Sequence, residues 1–136
     1  RESDDETFLS WKEVKELQKH GVEFGSHTCS HRKLSELMAP EAERELRVSH
    51  QTIAAQLSQA MMPLAFPYGA YSDAVISMTR ELPYTCALTT DAGTNASHSD
   101  IYLLRRNLIG DDDDEALFAA RVSGLTALLQ KAMGRH

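Results

Sequence analysis

Helical and strand patterns alternate along the chain, and this alternation constrains the fold more than any other feature of the sequence. Three short apolar runs have the composition of β-strands, namely "VEFGSHT", "MPLAFPYG" and "YTCALTT". A segment with helical periodicity precedes each run. Strands that are joined through helices form right-handed crossovers and lie parallel. The sequence therefore predicts an α/β domain with a mainly parallel sheet.

Residues typical of helix ends support these assignments. Ser10 and Glu13 have the spacing of a capping box, Pro40 suits the first turn of a second helix, and Ser72 or Asp73 is placed to cap a third. The core face of the second helix is predicted from Leu46, Ile53 and Leu57. A fourth strand, "IYLLRRNLIG", and a final amphipathic helix over residues 111–133 complete the order of helix, strand, helix, strand, helix, strand, strand, helix.

Polar clusters follow three of the predicted strands, and in parallel folds such positions share one edge of the sheet. The first cluster contains His27 and His31, which are four residues apart in "GSHTCSHRKL". Two readings of this pair stay open on residue types alone. The histidines are either two ligands of one metal ion or a hydrogen-bonded pair without a metal. Cys29 between them is either a third ligand or a spacer, and its spacing matches no zinc-ribbon pattern.

The second cluster, "PYGAY", follows the second strand, and the third, "DAGTN", follows the third strand. Two nearby motifs are ambiguous by themselves. In "FPYG", Pro67 and Gly69 suit a simple turn with a packed Tyr68 ring, whereas the functional reading places a backbone amide or the tyrosine at a developing oxyanion. In "LLRRN", Arg105 and Arg106 point to opposite faces of a strand. One of them is expected in solvent and the other as an orienting cation in the site.

Size and charge exclude several classes of protein. A chain of 136 residues is enough for about one domain, and its net charge of −6 argues against a nucleic-acid or membrane-surface partner. No apolar run approaches the roughly 20 residues of a membrane span. The chain begins with Arg1, so the absence of a signal peptide decides nothing. The acidic run 111–115 is predicted to cap a helix, while His98 and Asp100 are predicted to lie at the surface.

The stretch "FLSWKEVKELQKHGVEFGSHTCSHRKLSEL", with "LAFPYGAYSDAVISMTRELPYTCALTT" and "LLRRN", resembles the polysaccharide deacetylases, the family-four carbohydrate esterases, over residues 8–108. The resemblance implies a distorted (β/α) barrel with fewer than eight strands. It also implies a hydrolase that removes N- or O-acetyl groups from sugar polymers, a divalent metal, usually zinc, and an extracellular, periplasmic or cell-envelope location.

Several site residues follow from the resemblance. His27 and His31 match the family's H-(S/T)-x-x-H metal pair, and Thr28 matches the hydroxyl that stabilises its loop. Pro67 and Tyr68 match the groove-wall motif, where they contact substrate and the amide after the proline helps to hold the oxyanion.

Other family positions are altered. Arg106 resembles the catalytic arginine on the late strand of the family branch that reads "AFPYG". That branch lacks a second arginine two residues before the proline, and Ala65 stands at that position here. "DAGTN" stands at the place of an aspartate–tryptophan motif. Asn107 and Leu108 stand where the general-acid histidine is expected. His98 takes that role only if its loop follows an unusual path.

The family's aspartate pair, the source of the general base and the third metal ligand, is not recognisable. Asp4 and Asp5 are read as loop residues. We therefore expect residues 1–136 to be the C-terminal portion of one deacetylase domain, with its N-terminal strands and the third ligand outside this chain. The expected partners are a polysaccharide or oligosaccharide and the missing N-terminal half of the domain. Alone, the chain is expected to bind metal weakly and to show little activity.

Two alternative functions stay open at this point. The first is a non-catalytic carbohydrate-binding relic of the same fold, and the second is an unrelated metal-binding α/β domain. No residue pattern identifies the polysaccharide or distinguishes N- from O-deacetylation.

Overall fold

A computed structural model describes residues 8–133, apart from the side chains of residues 130 and 131. The helices and strands in this range are α1 (Trp11–Lys19), α2 (Ala39–Leu57), β1 (Met62–Ala65), α3 (Asp73–Glu81), β2 (Tyr84–Leu88), α4 (Glu115–Val122) and α5 (Leu125–Ala132). Short 3₁₀ turns span Leu34–Glu36 and Pro67–Gly69. The pair Asp4 and Asp5 lies outside the described residues.

The first three helices begin as the sequence predicts. The Ser10 hydroxyl accepts a hydrogen bond from the Glu13 amide, and the Glu13 carboxylate accepts one from the Ser10 amide, which together form a capping box for α1. The Ser72 hydroxyl accepts from the Val75 amide and caps α3. These caps satisfy amides that a helix cannot pair internally.

The sheet is parallel, as predicted. β1 and β2 are joined through α3 and pair directly, with Met62 opposite Tyr84 and Ala65 opposite Leu88. A single parallel bridge joins Ser26 to β1, and another joins Leu104 to β2. Four chain segments therefore run in one direction, and the loops that follow them share one edge.

The predicted first strand, "VEFGSHT", is wrong, because only a single bridge at Ser26 forms. Ser26 donates its N–H to the Pro63 carbonyl at 2.8 Å and accepts from the Ala65 amide at 2.9 Å. The next bond of this ladder requires an N–H at Pro63, which proline lacks. The Phe24 carbonyl instead accepts from the Gln59 side-chain amide at 3.2 Å, so the ladder stops after one bridge.

The predicted late strand, "IYLLRRNLIG", is also reduced to one bridge. Before this bridge the chain makes a turn, in which the Leu103 amide donates to the Asp100 carbonyl oxygen. After Leu104, the Arg105 amide donates to the side chain of Asn95 at 2.9 Å instead of to a neighbouring strand. Side-chain hydrogen bonding has replaced the strand ladder here.

The final segment forms two helices instead of the single helix predicted for residues 111–133. α4 ends at Val122 with Ser123 as its C-cap, and Gly124 follows with a φ of 79°, a left-handed conformation that ends a helix. The acidic run acts as a helix cap, as predicted, because the Asp114 carboxylate accepts from the Leu117 amide at 2.7 Å.

The core lies between the sheet, α2 and α3. Leu46 and Leu57 of α2 are buried and Ile53 is partly buried, which confirms the predicted apolar face. α1 has no buried side chain, and its Trp11 is 40% exposed. None of the helices within residues 8–133 combines the length and the hydrophobicity that crossing a membrane requires.

Candidate active site

Three aromatic rings from two neighbouring loops stack edge to face at the C-terminal edge of the sheet. His27 and His31 lie in the loop after Ser26, and their ring centroids are 4.8 Å apart with the planes at 66°. The Tyr68 ring, in the turn after β1, is 4.8 Å from His31 at 63°. The structure therefore brings together the two histidines and the tyrosine that the sequence singled out.

The ring of His27 is oriented by the end of β1. Its Nδ1 lies 2.7 Å from the Ala65 carbonyl oxygen. Because a carbonyl oxygen only accepts hydrogen bonds, Nδ1 carries a proton, and in the neutral imidazole Nε2 then keeps its lone pair. An imidazole with this tautomer and this second partner is typical of a metal ligand.

The loop between the histidines is a tight turn and not a helix. Thr28 has a φ of 67° and His31 a φ of 56°. A residue with a side chain pays roughly 1–2 kcal/mol for this left-handed conformation. Ser26 and Leu34, which are both buried, fix the ends of the loop. This folding gives the two rings their 4.8 Å separation without a shared helix face.

Glu45 of α2 holds the middle of this loop, and the sequence analysis did not identify it. Its Oε2 accepts from the amides of Cys29 at 2.8 Å and Ser30 at 2.9 Å, and its Oε1 accepts from the Ser30 hydroxyl at 2.7 Å. Burial raises the pKa of Glu45, but the hydrogen bonds from Ser30 and Cys29 together outweigh it. The pKa of this carboxyl therefore lies below its usual value.

Two other residues of the loop have roles different from the functional readings of the sequence. The Cys29 thiol donates to the Glu45 carbonyl oxygen at 3.6 Å. Burial, and then the Glu45 charge, raise its pKa, which favours the spacer reading over a thiolate ligand. The Thr28 hydroxyl is buried, and no hydrogen-bond partner for it lies among residues 8–133. The described residues therefore do not supply the expected loop-stabilising bond of Thr28.

The histidine pair fits part of a metal site. Two imidazoles supply two of the four ligands of a tetrahedral zinc centre. Within the described range, no group of three or more His, Cys, Asp or Glu side chains is arranged to hold a metal ion. The remaining protein ligands of such a centre therefore do not come from residues 8–133 as they are placed here.

The turn at Pro67–Gly69 presents Tyr68 to solvent beside His31. Pro67 is buried, whereas the Tyr68 side chain is 62% exposed and has a φ of 58°. The hydrogen bonds of the turn are donated by Gly69 and Ala70, and the Tyr68 amide has no acceptor in the part of the chain that the structure describes. This amide is thus free to bind a ligand oxygen.

Beside this turn, a cavity of about 400 Å³ is lined by His31, Arg32, Lys33, Glu36, Leu37 and Tyr68. The Lys33 ammonium lies 5.9 Å from the Tyr68 ring centroid.

Arg106 follows Leu104, which belongs to the fourth of the parallel segments. Its Nε donates to the Thr89 carbonyl oxygen at 2.8 Å and the side chain is half-buried, while Arg105 is exposed and donates to Ala92. The exposed Arg105 agrees with the prediction of one arginine in solvent, whereas the role of the other as an orienting cation in the site stays a prediction. No hydrogen bond or ion pair between described residues joins Arg106 to His27, His31 or Tyr68.

Two asparagines fasten the loop of Arg106, namely Asn107, which follows it directly, and Asn95 of the preceding loop. The sequence predicted this role for neither. Asn107 accepts from the Gly93 amide at 2.9 Å and donates to the Gly93 carbonyl at 3.2 Å. Asn95 exchanges the same pair of bonds with the backbone of Arg105. The "DAGTN" and "LLRRN" segments are thereby joined.

The remaining polar residues of this loop behave as the sequence predicts. His98 is exposed. Asp100 is also exposed, and it forms an ion pair with Arg80.

Comparison with known families identifies the family of this chain. A family model described as "Polysaccharide deacetylase" matches residues 2–102, well over half of the chain. The chain belongs to the polysaccharide deacetylase family. This confirms the resemblance seen in the sequence and excludes an unrelated metal-binding α/β domain.

Solved structures of deacetylases share the fold. The Streptococcus pyogenes deacetylase PplD is 24% identical, with a TM-score of 0.79, over 87% of this chain and 52% of PplD. BC0361, a polysaccharide deacetylase from Bacillus cereus, is 26% identical, with a TM-score of 0.75, over 88% of this chain and 38% of BC0361. The expected fold, an α/β chain that forms part of a (β/α) barrel, is confirmed.

A curated relative gives the same picture. YxkH of Bacillus subtilis (strain 168), which is named for the same family, is 22% identical over 86% of this chain and 42% of YxkH. The chain thus spans about half the length, or less, of the polysaccharide deacetylases that it matches.

Proposed function

We propose that this chain contributes to the active site of a metal-dependent hydrolase that removes acetyl groups from a polysaccharide or oligosaccharide. The observation that carries the proposal is the convergence of His27, His31 and Tyr68 at the sheet edge of a deacetylase-family chain. The solved PplD structure is a complex with acetate, and acetate is the molecule that hydrolysis of an acetyl group releases.

The histidine pair would hold the metal, for which zinc is our choice. Zinc suits imidazole ligands, and when bound it would polarise the acetyl carbonyl and lower the pKa of a bound water. His27 is prepared for this role because its Nδ1 is bonded to Ala65, which leaves Nε2 as the ligand atom. An aspartate outside residues 8–133 is the third ligand in this proposal.

Tyr68 and Arg106 have separate roles in the proposal. The Tyr68 amide, which has no acceptor among residues 8–133, would donate to the oxygen of the tetrahedral intermediate, as backbone amides do in oxyanion holes. The exposed Tyr68 ring would contact a sugar ring of the substrate beside the buried Pro67. Arg106, which is held at Thr89, would orient the neighbouring polar groups by its charge.

We also propose that residues 1–136 are the C-terminal portion of one deacetylase domain and that its N-terminal half is the partner of this chain. The exposed Trp11 on α1 and the two-ligand metal site agree with this division. In this proposal the chain alone binds metal weakly and shows little activity.

Acetate release by the full-length protein tests the proposal. The protein that carries this chain is incubated with zinc and with N-acetylated chitooligosaccharide or O-acetylated xylan. We expect acetate from at least one substrate and none from the His27→Ala variant. Binding of the sugars without any acetate release would favour the carbohydrate-binding relic. Undiminished acetate release by His27→Ala would show that the histidine pair is not the metal site.

A further inference from the structure

We propose that Glu45 is a positioning residue for the metal site, through its hold on the loop that carries both histidines. The inference rests on the proposed metal role of His27 and His31 and adds a residue from a different element, α2. Glu45 does not contact either imidazole in this proposal. It acts by fixing the backbone between them.

The contacts of Glu45 are concentrated on this loop. Both carboxylate oxygens are used, and the three donors belong to the adjacent residues Cys29 and Ser30, midway between the histidines. Two successive amides that point at one carboxylate oxygen form an anion-binding arrangement. Hydrogen bonds to a charged acceptor are also stronger than those between neutral groups.

The loop needs such a partner because of its backbone shape. Thr28 and His31 have positive φ angles although neither is glycine. Backbone shapes of this kind persist only where surrounding contacts fix them. Thr28 does not supply the contact, since its hydroxyl has no partner among residues 8–133. Glu45 does supply it, from a helix that is packed into the core through Leu46.

Glu45 also differs from the other acidic residues of α2. Glu41 lies 3.7 Å from Arg32 and Glu43 pairs with Arg47 one turn away, both in exposed ion pairs. Within the described part of the chain, no lysine, arginine or histidine forms an ion pair with Glu45. Its carboxylate oxygens accept from donors of the histidine loop, and Arg32 adds a smaller electrostatic attraction.

Metal binding by variants of the full-length protein tests the inference. Zinc affinity is measured by competition titration, Co²⁺ coordination by its visible spectrum, and stability by the thermal midpoint. In Glu45→Ala the amides of Cys29 and Ser30 lose their acceptor. We expect zinc affinity to fall about tenfold or more, as for other outer-shell partners of metal ligands, with a weakened Co²⁺ spectrum.

Three further variants separate positioning from general stability. Glu45→Gln keeps an oxygen for the two amides and an NH₂ group for the Ser30 hydroxyl, so it should retain most of the zinc affinity. Glu43→Ala removes an exposed carboxylate from the same helix and should bind zinc as the wild type does. Leu57→Ala removes a buried side chain from the far end of α2, so it should lower the thermal midpoint without changing the Co²⁺ spectrum.

The possible outcomes are distinct. Unchanged zinc affinity in Glu45→Ala would overturn the inference, and so would an equal loss in Leu57→Ala. If the wild-type protein itself does not bind zinc, the proposed function fails, and the positioning role that rests on it fails for that separate reason.

Discussion

The Nδ1 atom of His27 and the carbonyl oxygen of Ala65 are 2.7 Å apart, which links a proposed metal ligand to the last residue of β1. The link exists because Ser26 pairs with β1 and carries His27 past the end of the strand. The strand end therefore sets both the position and the tautomer of the ring. The proposed ligand lies in a loop, and this contact fixes it to the sheet.

The histidine pair gives the most direct prediction. Replacing His27 or His31 by alanine should reduce zinc affinity by more than the 10–100-fold typical of outer-shell partners, because each change removes a ligand. Isothermal titration of the full-length protein with zinc measures the loss. His98→Ala is the matched control, since His98 is exposed and lies in a different loop. A loss of the same size in His98→Ala would contradict the assignment.

The sequence sufficed to find the histidines but not the residue that holds their loop. His27 and His31 follow a predicted strand at a spacing that two ligands can use, so the pattern is local. Glu45 lies 14 positions after His31 and 18 after His27, among other acidic residues of a helix. Its contact with Cys29 and Ser30 depends on how α2 packs, and no local periodicity encodes that packing.

Gly69 should be the least replaceable residue of the Tyr68 turn. Its φ is 65°, and a Cβ atom there would lie 2.0 Å from the Thr90 hydroxyl oxygen. We expect Gly69→Ala to lower the free energy of unfolding by about 2–4 kcal/mol, from the left-handed backbone and the overpacking together. Chemical denaturation measures this change.

A second glycine separates the two causes. Gly21 also has a positive φ, of 87°, but a Cβ atom there would have no neighbour within 4 Å. Gly21→Ala should therefore lower the free energy of unfolding by only about 1–2 kcal/mol, the cost of the left-handed backbone alone. Equal losses at the two positions would show that the contact with Thr90 is unimportant.

Beneath the histidine loop, a buried polar cluster joins three elements. The Tyr84 hydroxyl donates to the Leu46 carbonyl at 2.7 Å and lies 3.1 Å from the Ser26 hydroxyl, which is 2.7 Å from that of Ser49. The sequence predicted a strand at Tyr84 but not this role for its hydroxyl. Burial is the main cause that raises the pKa of Tyr84 to about 12.

This pKa predicts a loss of stability in alkaline solution. In the unfolded chain Tyr84 titrates near its ordinary value of 10. The stabilisation that the buried Tyr84 hydroxyl gives to the folded state is complete below pH 10. It disappears as the pH rises toward 12, because the unfolded state loses the proton first. The loss should reach about 2–3 kcal/mol. Denaturant titrations below and above pH 10 measure it. Tyr84→Phe should lack this part of the pH dependence, and an identical dependence in both proteins would contradict the prediction.

The errors of strand prediction have local causes that are visible only in three dimensions. The neighbours of Pro63 have strand composition, and Pro63 lies in β1. Proline has no N–H to donate to the segment before Ser26, so that ladder ends there. Likewise, "IYLLRRNLIG" has strand composition, but the amide of Arg105 is taken by Asn95. Composition gives the strand tendency of a segment, whereas the pairing partner decides whether a ladder forms.

The asparagine contacts around Arg106 give the last prediction. Asn107 exchanges two hydrogen bonds with the backbone of Gly93, and Arg106 lies directly before it in the chain. Asn107→Asp keeps the acceptor but loses the donor, and it places a carboxylate against the Gly93 carbonyl. We expect unfolding to become easier by about 1–3 kcal/mol. In the full-length protein, acetate release should slow while zinc affinity stays unchanged, since the histidine loop is separate. Denaturation, acetate assays and zinc titration of one variant measure all three. A fall in zinc affinity as large as the fall in rate would show that the two loops are not independent.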